Sequence, residues 1–99
     1  EVPNAIFAAT DYIAIGAITY LREHRIKVPE DIVVAGYDDL ELSTYLNPSL
    51  TSIYFDYKRS GEIAAKYTLD SIDDPLKIQR HTVGFSIKQR SSTTIYQED

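Results

Sequence analysis

The sequence predicts an α/β fold built on a parallel sheet, and three observations carry that expectation. Ala5 to Ala9 and Ile32 to Tyr37 are continuous apolar runs rather than alternating ones, the pattern of strands covered on both faces. Between them, Ile13, Ala14, Ala17, Ile18 and Leu21 recur at helical spacing. The connections are short, so strand, helix and strand form a βαβ unit with parallel strands and a right-handed crossover.

The first strand, Ala5 to Ala9, is bounded by Pro3-Asn4 and Thr10-Asp11. Asp11 is placed as the N-cap of a helix running from Tyr12 to about His24. Ile13, Ala17 and Leu21 suffice to dock that helix on its sheet, while Tyr12, Ile15 and Thr19 form a second stripe pointing elsewhere. Pro29 forbids helix through Val28, so Lys27 to Asp31 is a turn. The strand Ile32 to Tyr37 ends at Asp38-Asp39. Glu41 to Asn47 has the character of a short helix stopped by Asn47-Pro48, and Leu50 to Phe55 reads as a third strand. With Asp56 as N-cap, a second helix spans Tyr57 to Ile72, with Tyr57, Gly61, Ala64, Tyr67, Thr68 and Ile72 on one face. From His81 to Lys88, Val83, Phe85 and Ile87 alternate with Thr82, Gly84 and Ser86, predicting a strand with one buried face. Ser91 to Asp99 is polar and reads as a loose tail.

Composition narrows the function. The 99 residues amount to one domain or a piece of one, with 43% hydrophobic and 25% charged residues, ordinary for a globular chain. There is no cysteine, hence no disulfide framework, thiolate metal site or catalytic thiol. No apolar stretch approaches the ~20 residues that span a bilayer. Fifteen acidic against ten basic residues give a net charge of −5, the reverse of a free-standing nucleic-acid binder. The start, Glu1-Val2-Pro3-Asn4, has neither the basic residues nor the apolar core of a signal peptide, and methionine is absent throughout. The chain reads as an excerpt from something longer.

In open α/β sheets, ligands bind beyond the carboxyl ends of the strands. Those ends offer Thr10 and Asp11, then Tyr37, Asp38 and Asp39, then Tyr54, Phe55, Asp56 and Tyr57. Carboxylates, a hydroxyl and aromatic rings on one rim suit a polyhydroxylated ligand: a carboxylate accepts from neighbouring hydroxyls, and a ring covers the C–H face of a sugar. Simpler roles compete. Asp11 caps a helix, one of Asp38 and Asp39 serves the turn, and tyrosines usually pack; Asp38, next to the strand, is the better ligand candidate. Paired acids could hold Mg²⁺, but no lysine at a strand end completes a phosphoryl-transfer site. His24 and His81 read as solvated, no His-x-x-x-His pair occurs, and the glycines at 16, 36, 61 and 84 are isolated. No catalytic constellation, metal site or cofactor site is expected.

Six motifs in order, Ala5-Ile6-Phe7-Ala8-Ala9-Thr10-Asp11, Ala14-Ile15-Gly16-Ala17, Val28-Pro29-Glu30-Asp31-Ile32, Gly36-Tyr37-Asp38-Asp39, Pro48-Ser49-Leu50-Thr51-Ser52-Ile53 and Arg90-Ser91-Ser92-Thr93, cover nearly the whole chain. Together they resemble the C-terminal part of the effector-binding core of the LacI/GalR family of bacterial transcription regulators. The resemblance implies a three-layer sandwich of the periplasmic-binding-protein type, a fragment of a two-lobed core. Residues 1–55 and about 81–93 would belong mainly to one lobe and the helix within about 56–80 to the other, with the DNA-binding headpiece absent from this chain. That leaves a 99-residue chain marginal alone, or exchanging elements with a second copy.

The resemblance also implies roles. An effector, expected to be a sugar, is held by Asp38, by Thr10 where the family commonly has Asn, and by Phe55 and Tyr57. A homodimer forms through Ile15 and Leu46, with Tyr12, Leu42 and Tyr45 beside them. Operator DNA is bound through the headpiece, and the protein is a cytoplasmic regulator and not an enzyme. The family's usual Gly after the first helix is Arg25. A periplasmic-type sugar-binding protein for transport shares the fold and is the first alternative; an α/β enzyme is the second.

Overall fold

In a computed structural model, which describes residues 4–95, the chain forms β1 (Ala5–Phe7), α1 (Asp11–Glu23), β2 (Val33–Tyr37), a 3₁₀ turn (Glu41–Thr44), β3 (Thr51–Phe55), α2 (Tyr57–Asp73), β4 (Phe85–Lys88) and a second 3₁₀ turn (Ser91–Thr93). The sheet order is β1-β2-β3-β4, and β1 with β2 and β2 with β3 pair in parallel. The predicted βαβ unit is therefore present. Among the described residues, no helix is long and apolar enough to cross a membrane.

The chain divides into two compact units, Phe55–Phe85 and the remainder. In the larger unit, Ala14, Ile18 and Leu21 of α1 pack with Ala8, Ile32, Val34 and Leu50, and Ile6, Ile26, Val28 and Leu46 border that core. Ile13, expected to dock the helix, is instead 57% exposed. The buried stripe is Asp11, Ala14, Ile18 and Leu21, at i, i+3, i+7 and i+10, which turns Ile13 to solvent.

The N-cap also differs from expectation. Thr10, in extended conformation, accepts from the Ile13 N–H at 3.3 Å, and Asp11 is the first helical residue. This shift sends the Asp11 carboxylate inward, where it is fully buried. A buried carboxylate must be hydrogen-bonded or its desolvation is prohibitive. Asp11 Oδ1 accepts from Ser52 Oγ at 2.6 Å, and Oδ2 accepts from Ser43 Oγ at 2.5 Å and the Leu40 N–H at 2.9 Å. One side chain thus ties the start of α1 to β3, to the turn after β2 and to the first 3₁₀ turn. Gly36 makes room for it: a Cβ there would lie 2.3 Å from Asp11 Oδ1.

The expected loose tail is ordered as far as it is described. Ser92 is fully buried, donates to the Val34 carbonyl at 2.6 Å and accepts from the Thr51 N–H at 2.8 Å, so Arg90 to Thr93 is stitched across β2 and β3. Residues 96–99 lie outside the described residues. The signal was present in the sequence: serines and threonines look like tail but are also the smallest side chains that can satisfy buried backbone groups. β4 departs in the other direction. All four of its residues are exposed, including Phe85 at 67% and Ile87 at 63%, so the alternation carries no buried face in this chain.

In the smaller unit, Asp56 caps α2 by accepting from the Arg59 N–H at 2.9 Å. The less exposed stripe is Ser60, Ile63, Tyr67 and Ser71, and only Ile63 is buried. Of the predicted face, Tyr67 alone lies on that stripe; Tyr57, Gly61, Ala64, Thr68 and Ile72 are exposed.

Helix α1 ends in a Schellman arrangement. The Ile26 N–H donates to Leu21 O at 2.9 Å and the Arg25 N–H to Arg22 O at 3.0 Å, with Ile26 beside the core that contains Leu21. Arg25 accordingly has φ 61°, the left-handed conformation that favours glycine. Two substitutions to or from glycine should act in opposite directions in urea unfolding of the full-length protein. Arg25→Gly removes a backbone cost of about 1–2 kcal/mol, partly offset by added chain entropy, for a net gain of about 1 kcal/mol. Gly36→Ala pushes a methyl against the Asp11 carboxylate and should cost about 1–3 kcal/mol.

Candidate functional site

The turn after β2 carries two consecutive non-glycine residues with positive φ, Asp38 at 106° and Asp39 at 48°. Such conformations cost about 1–3 kcal/mol each and persist where their surroundings dictate them. Here the surroundings are three successive N–H groups with three different acceptors. Asp38 donates to Ile53 O at 3.0 Å, Asp39 to Ser52 Oγ at 2.9 Å and Leu40 to Asp11 Oδ2 at 2.9 Å. Ser52 Oγ simultaneously donates to Asp11 Oδ1, so the hydroxyl relays the buried carboxylate to the turn.

The three aspartates near this rim have different environments. Asp11 is enclosed and serves the fold. Asp39 is paired with Arg90, Oδ1 to Nη2 at 2.6 Å, with both side chains about one-sixth exposed. Arg90 Nη1 also donates to Leu50 O at 2.8 Å. Asp38 is half-buried at the carboxyl end of β2. The sequence assigned one of the pair to the turn; in the structure the Asp39 carboxylate is engaged by Arg90.

Thr10, at the carboxyl side of β1, is half-buried. Capping α1 uses a lone pair of its hydroxyl and leaves the O–H able to donate. In the smaller unit, Phe55 and Tyr57 meet edge to face, with ring centroids 5.3 Å apart at 71°. Tyr57 is 54% exposed.

Ile15 and Leu46, expected at a dimer interface, come together around a recess of about 70 Å³ that Ile18, Thr19, Arg22 and Asn47 complete. Arg22, one of the lining residues, donates to the Asn47 carbonyl. Tyr12, Leu42 and Tyr45 are 70%, 50% and 76% exposed. A concavity of about 370 Å³ lies by the last turn of α1 and the loop before β2, among Arg22, Arg25, Lys27 and Val28. That is the opposite end of the sheet from Asp38.

Sequence reasoning missed Ser43, Ser52, Ser92 and Arg90 as the residues that hold the rim. Arg90 and Ser92 belong to a motif it singled out, but nothing local in the sequence showed which atoms they reach. Among the described residues, no group of three or more His, Cys, Asp or Glu side chains is arranged to hold a metal ion.

Comparison with known proteins gives the arrangement a context. A model of the periplasmic binding protein-like domain matches residues 1–93. A curated relative, the HTH-type transcriptional repressor PurR of Aliivibrio fischeri (strain MJ11), is 42% identical over 72 residues, covering 73% of this chain and 21% of the relative. Among solved structures, the lac repressor dimer bound to operator and the anti-inducer ONPF superposes with a TM-score of 0.85 at 31% identity, covering 95% of this chain and 28% of that one. A complex of the transcriptional regulator CelR with cellobiose gives a TM-score of 0.81 at 30% identity, covering 90% of this chain and 28% of that one. The chain thus spans about a fifth to under a third of the length of these proteins. With the family model matching residues 1–93, the chain belongs to the periplasmic binding protein-like family, and the proteins it resembles above are transcription regulators.

Proposed function

We propose that this chain is the effector-binding and dimerisation segment of a sugar-responsive transcription regulator, a repressor acting in the cytoplasm and without catalytic activity. The observation that carries the reading is the turn after β2, which holds Asp38 at the carboxyl end of a parallel strand through hydrogen bonds donated by three successive backbone N–H groups. A carboxylate so held suits a ligand rich in hydroxyl groups, and charge-assisted bonds to it would be strong. Thr10 adds a hydroxyl donor, while Phe55 and Tyr57 add aromatic surface. The CelR–cellobiose complex shows a sugar-bearing neighbour of similar fold, which supports a sugar as the ligand class.

The lac repressor dimer on its operator supports the second half of the reading. On this reading, residues 1–55 and about 81–93 serve one lobe and the helix within about 56–80 the other. An effector favouring one lobe arrangement shifts the population by its differential affinity. In a two-fold dimer that shift alters the spacing of two DNA-binding headpieces, and hence operator affinity. Ile15 and Leu46 would lie at the two-fold contact, with Tyr12, Leu42 and Tyr45 around them. A two-fold contact uses one patch twice, so each substitution damages it twice.

Two measurements on the full-length protein test the two halves separately. Asp38→Ala should weaken binding of the sugar that best stabilises the protein in a mono- and disaccharide screen by about 1.5–3 kcal/mol, read by isothermal titration. Unchanged affinity removes Asp38 from the site. Ile15→Asp or Leu46→Asp should yield a monomer by light scattering at micromolar concentration that still binds the sugar but holds operator DNA poorly. An intact dimer for both variants overturns the interface.

A further inference from the structure

We propose that Arg90 is a positioning residue for the effector-binding Asp38, acting through the carboxylate of Asp39; the proposal rests on Asp38 being the effector ligand. Asp38 and Asp39 both have positive φ, a region that costs L residues energy although aspartate enters it more readily than most. The acceptors Ile53 O, Ser52 Oγ and Asp11 Oδ2 fix where the turn's N–H groups go. They leave open what keeps Asp39 from relaxing, and the ion pair supplies that restraint. The Arg90 guanidinium spans two anchors: Nη2 binds Asp39 Oδ1 at 2.6 Å and Nη1 donates to Leu50 O at 2.8 Å. Its planar fork suits such two-point contact, which a lysine cannot reproduce.

Arg90 is itself held from behind. Its N–H donates to Thr51 Oγ1 at 2.8 Å, its carbonyl accepts from the same hydroxyl at 3.1 Å, and the next turn of chain is pinned by Ser92 to Val34 O. The guanidinium therefore rests on a backbone fastened to β2 and β3, and its pull on Asp39 is exerted from rigid elements. A ligand group placed by rigid supports loses less freedom on binding. Asp39 and Arg90 need not touch the effector for this: Asp39 adjoins Asp38, and the conformation of one constrains the other.

The test combines a ligand-independent readout with a binding readout on the full-length protein. In Arg90→Lys and Asp39→Ala, the amides of Asp38, Asp39 and Leu40 should exchange with deuterium at least about tenfold faster, while those in the middle of α1 stay protected. Asp39→Asn, which tolerates the left-handed conformation and keeps an acceptor for Arg90, should restore much of that protection. For the probe sugar, chosen as the one that most raises the melting temperature of the unsubstituted protein among glucose, galactose, ribose and cellobiose, Asp39→Ala should weaken binding by roughly tenfold or more. Asp39→Asn should recover part of the loss. Unchanged exchange at the three amides, or exchange that rises equally in α1, overturns the positioning role. So does unchanged sugar affinity in Asp39→Ala where Asp38→Ala weakens it. If Asp38→Ala leaves affinity untouched, or none of the four sugars binds, the sugar-site reading fails instead, and the exchange pattern alone decides whether Arg90 holds the turn.

Discussion

The buried carboxylate of Asp11 is the constraint on which the larger unit depends. Enclosing a charge in the interior is costly unless several hydrogen bonds replace its hydration. Asp11 obtains three, from two serine hydroxyls and one backbone N–H, each on a different segment. Those donors have to be in place together, so β3, the turn after β2 and the first 3₁₀ turn are fixed relative to the start of α1. The same requirement explains the bare backbone at Gly36, where a Cβ would collide with the carboxylate. It also explains why Thr10 rather than Asp11 caps the helix: the aspartate is committed inward, and the neighbouring hydroxyl takes the terminal N–H.

This interior polarity has a functional consequence. A purely apolar junction could slide, because burial is non-directional. Hydrogen bonds are directional, and the chain from Asp11 through Ser52 to the Asp39 N–H runs from the core to the rim. The proposed effector position is thereby mounted on the part of the molecule least free to adjust. A binding segment whose job is to report occupancy by moving one lobe against another gains from such a mount, since strain in a rigid element is transmitted rather than absorbed. Tyr12, Leu42 and Tyr45 are exposed, while Ile15 and Leu46 line one recess.

Much of the fold was legible in residue order. Continuous apolar runs located β1 and β2 to within two residues, the segment Leu50 to Phe55 located β3 to within one, and the break at Val28-Pro29 separated α1 from β2. Residue order also placed Thr10 and Asp38 just past the carboxyl ends of β1 and β2. Where the reading failed, periodicity had been asked to choose between adjacent helical residues or to say what covers a face. Ile13 lies only one residue from the buried Ala14, about 100° around the helix, and only packing shows which side faces the sheet. The alternation in β4 is real as a pattern, yet Phe85 and Ile87 are exposed.

By itself, then, the sequence determined the βαβ frame, the capped helices and the acidic, aromatic character of one end of the sheet, because these follow from short-range period, turn chemistry and strand polarity. Tertiary structure alone decided what holds Asp11 and Asp39. Their carboxylates are chemically identical, and their separate environments are set by Ser43, Ser52 and Arg90, which lie 32, 41 and 51 residues from the carboxylates they contact. Hydrogen bonds act over about 3 Å, so partners that distant in the chain acquire meaning only once folding has brought them together.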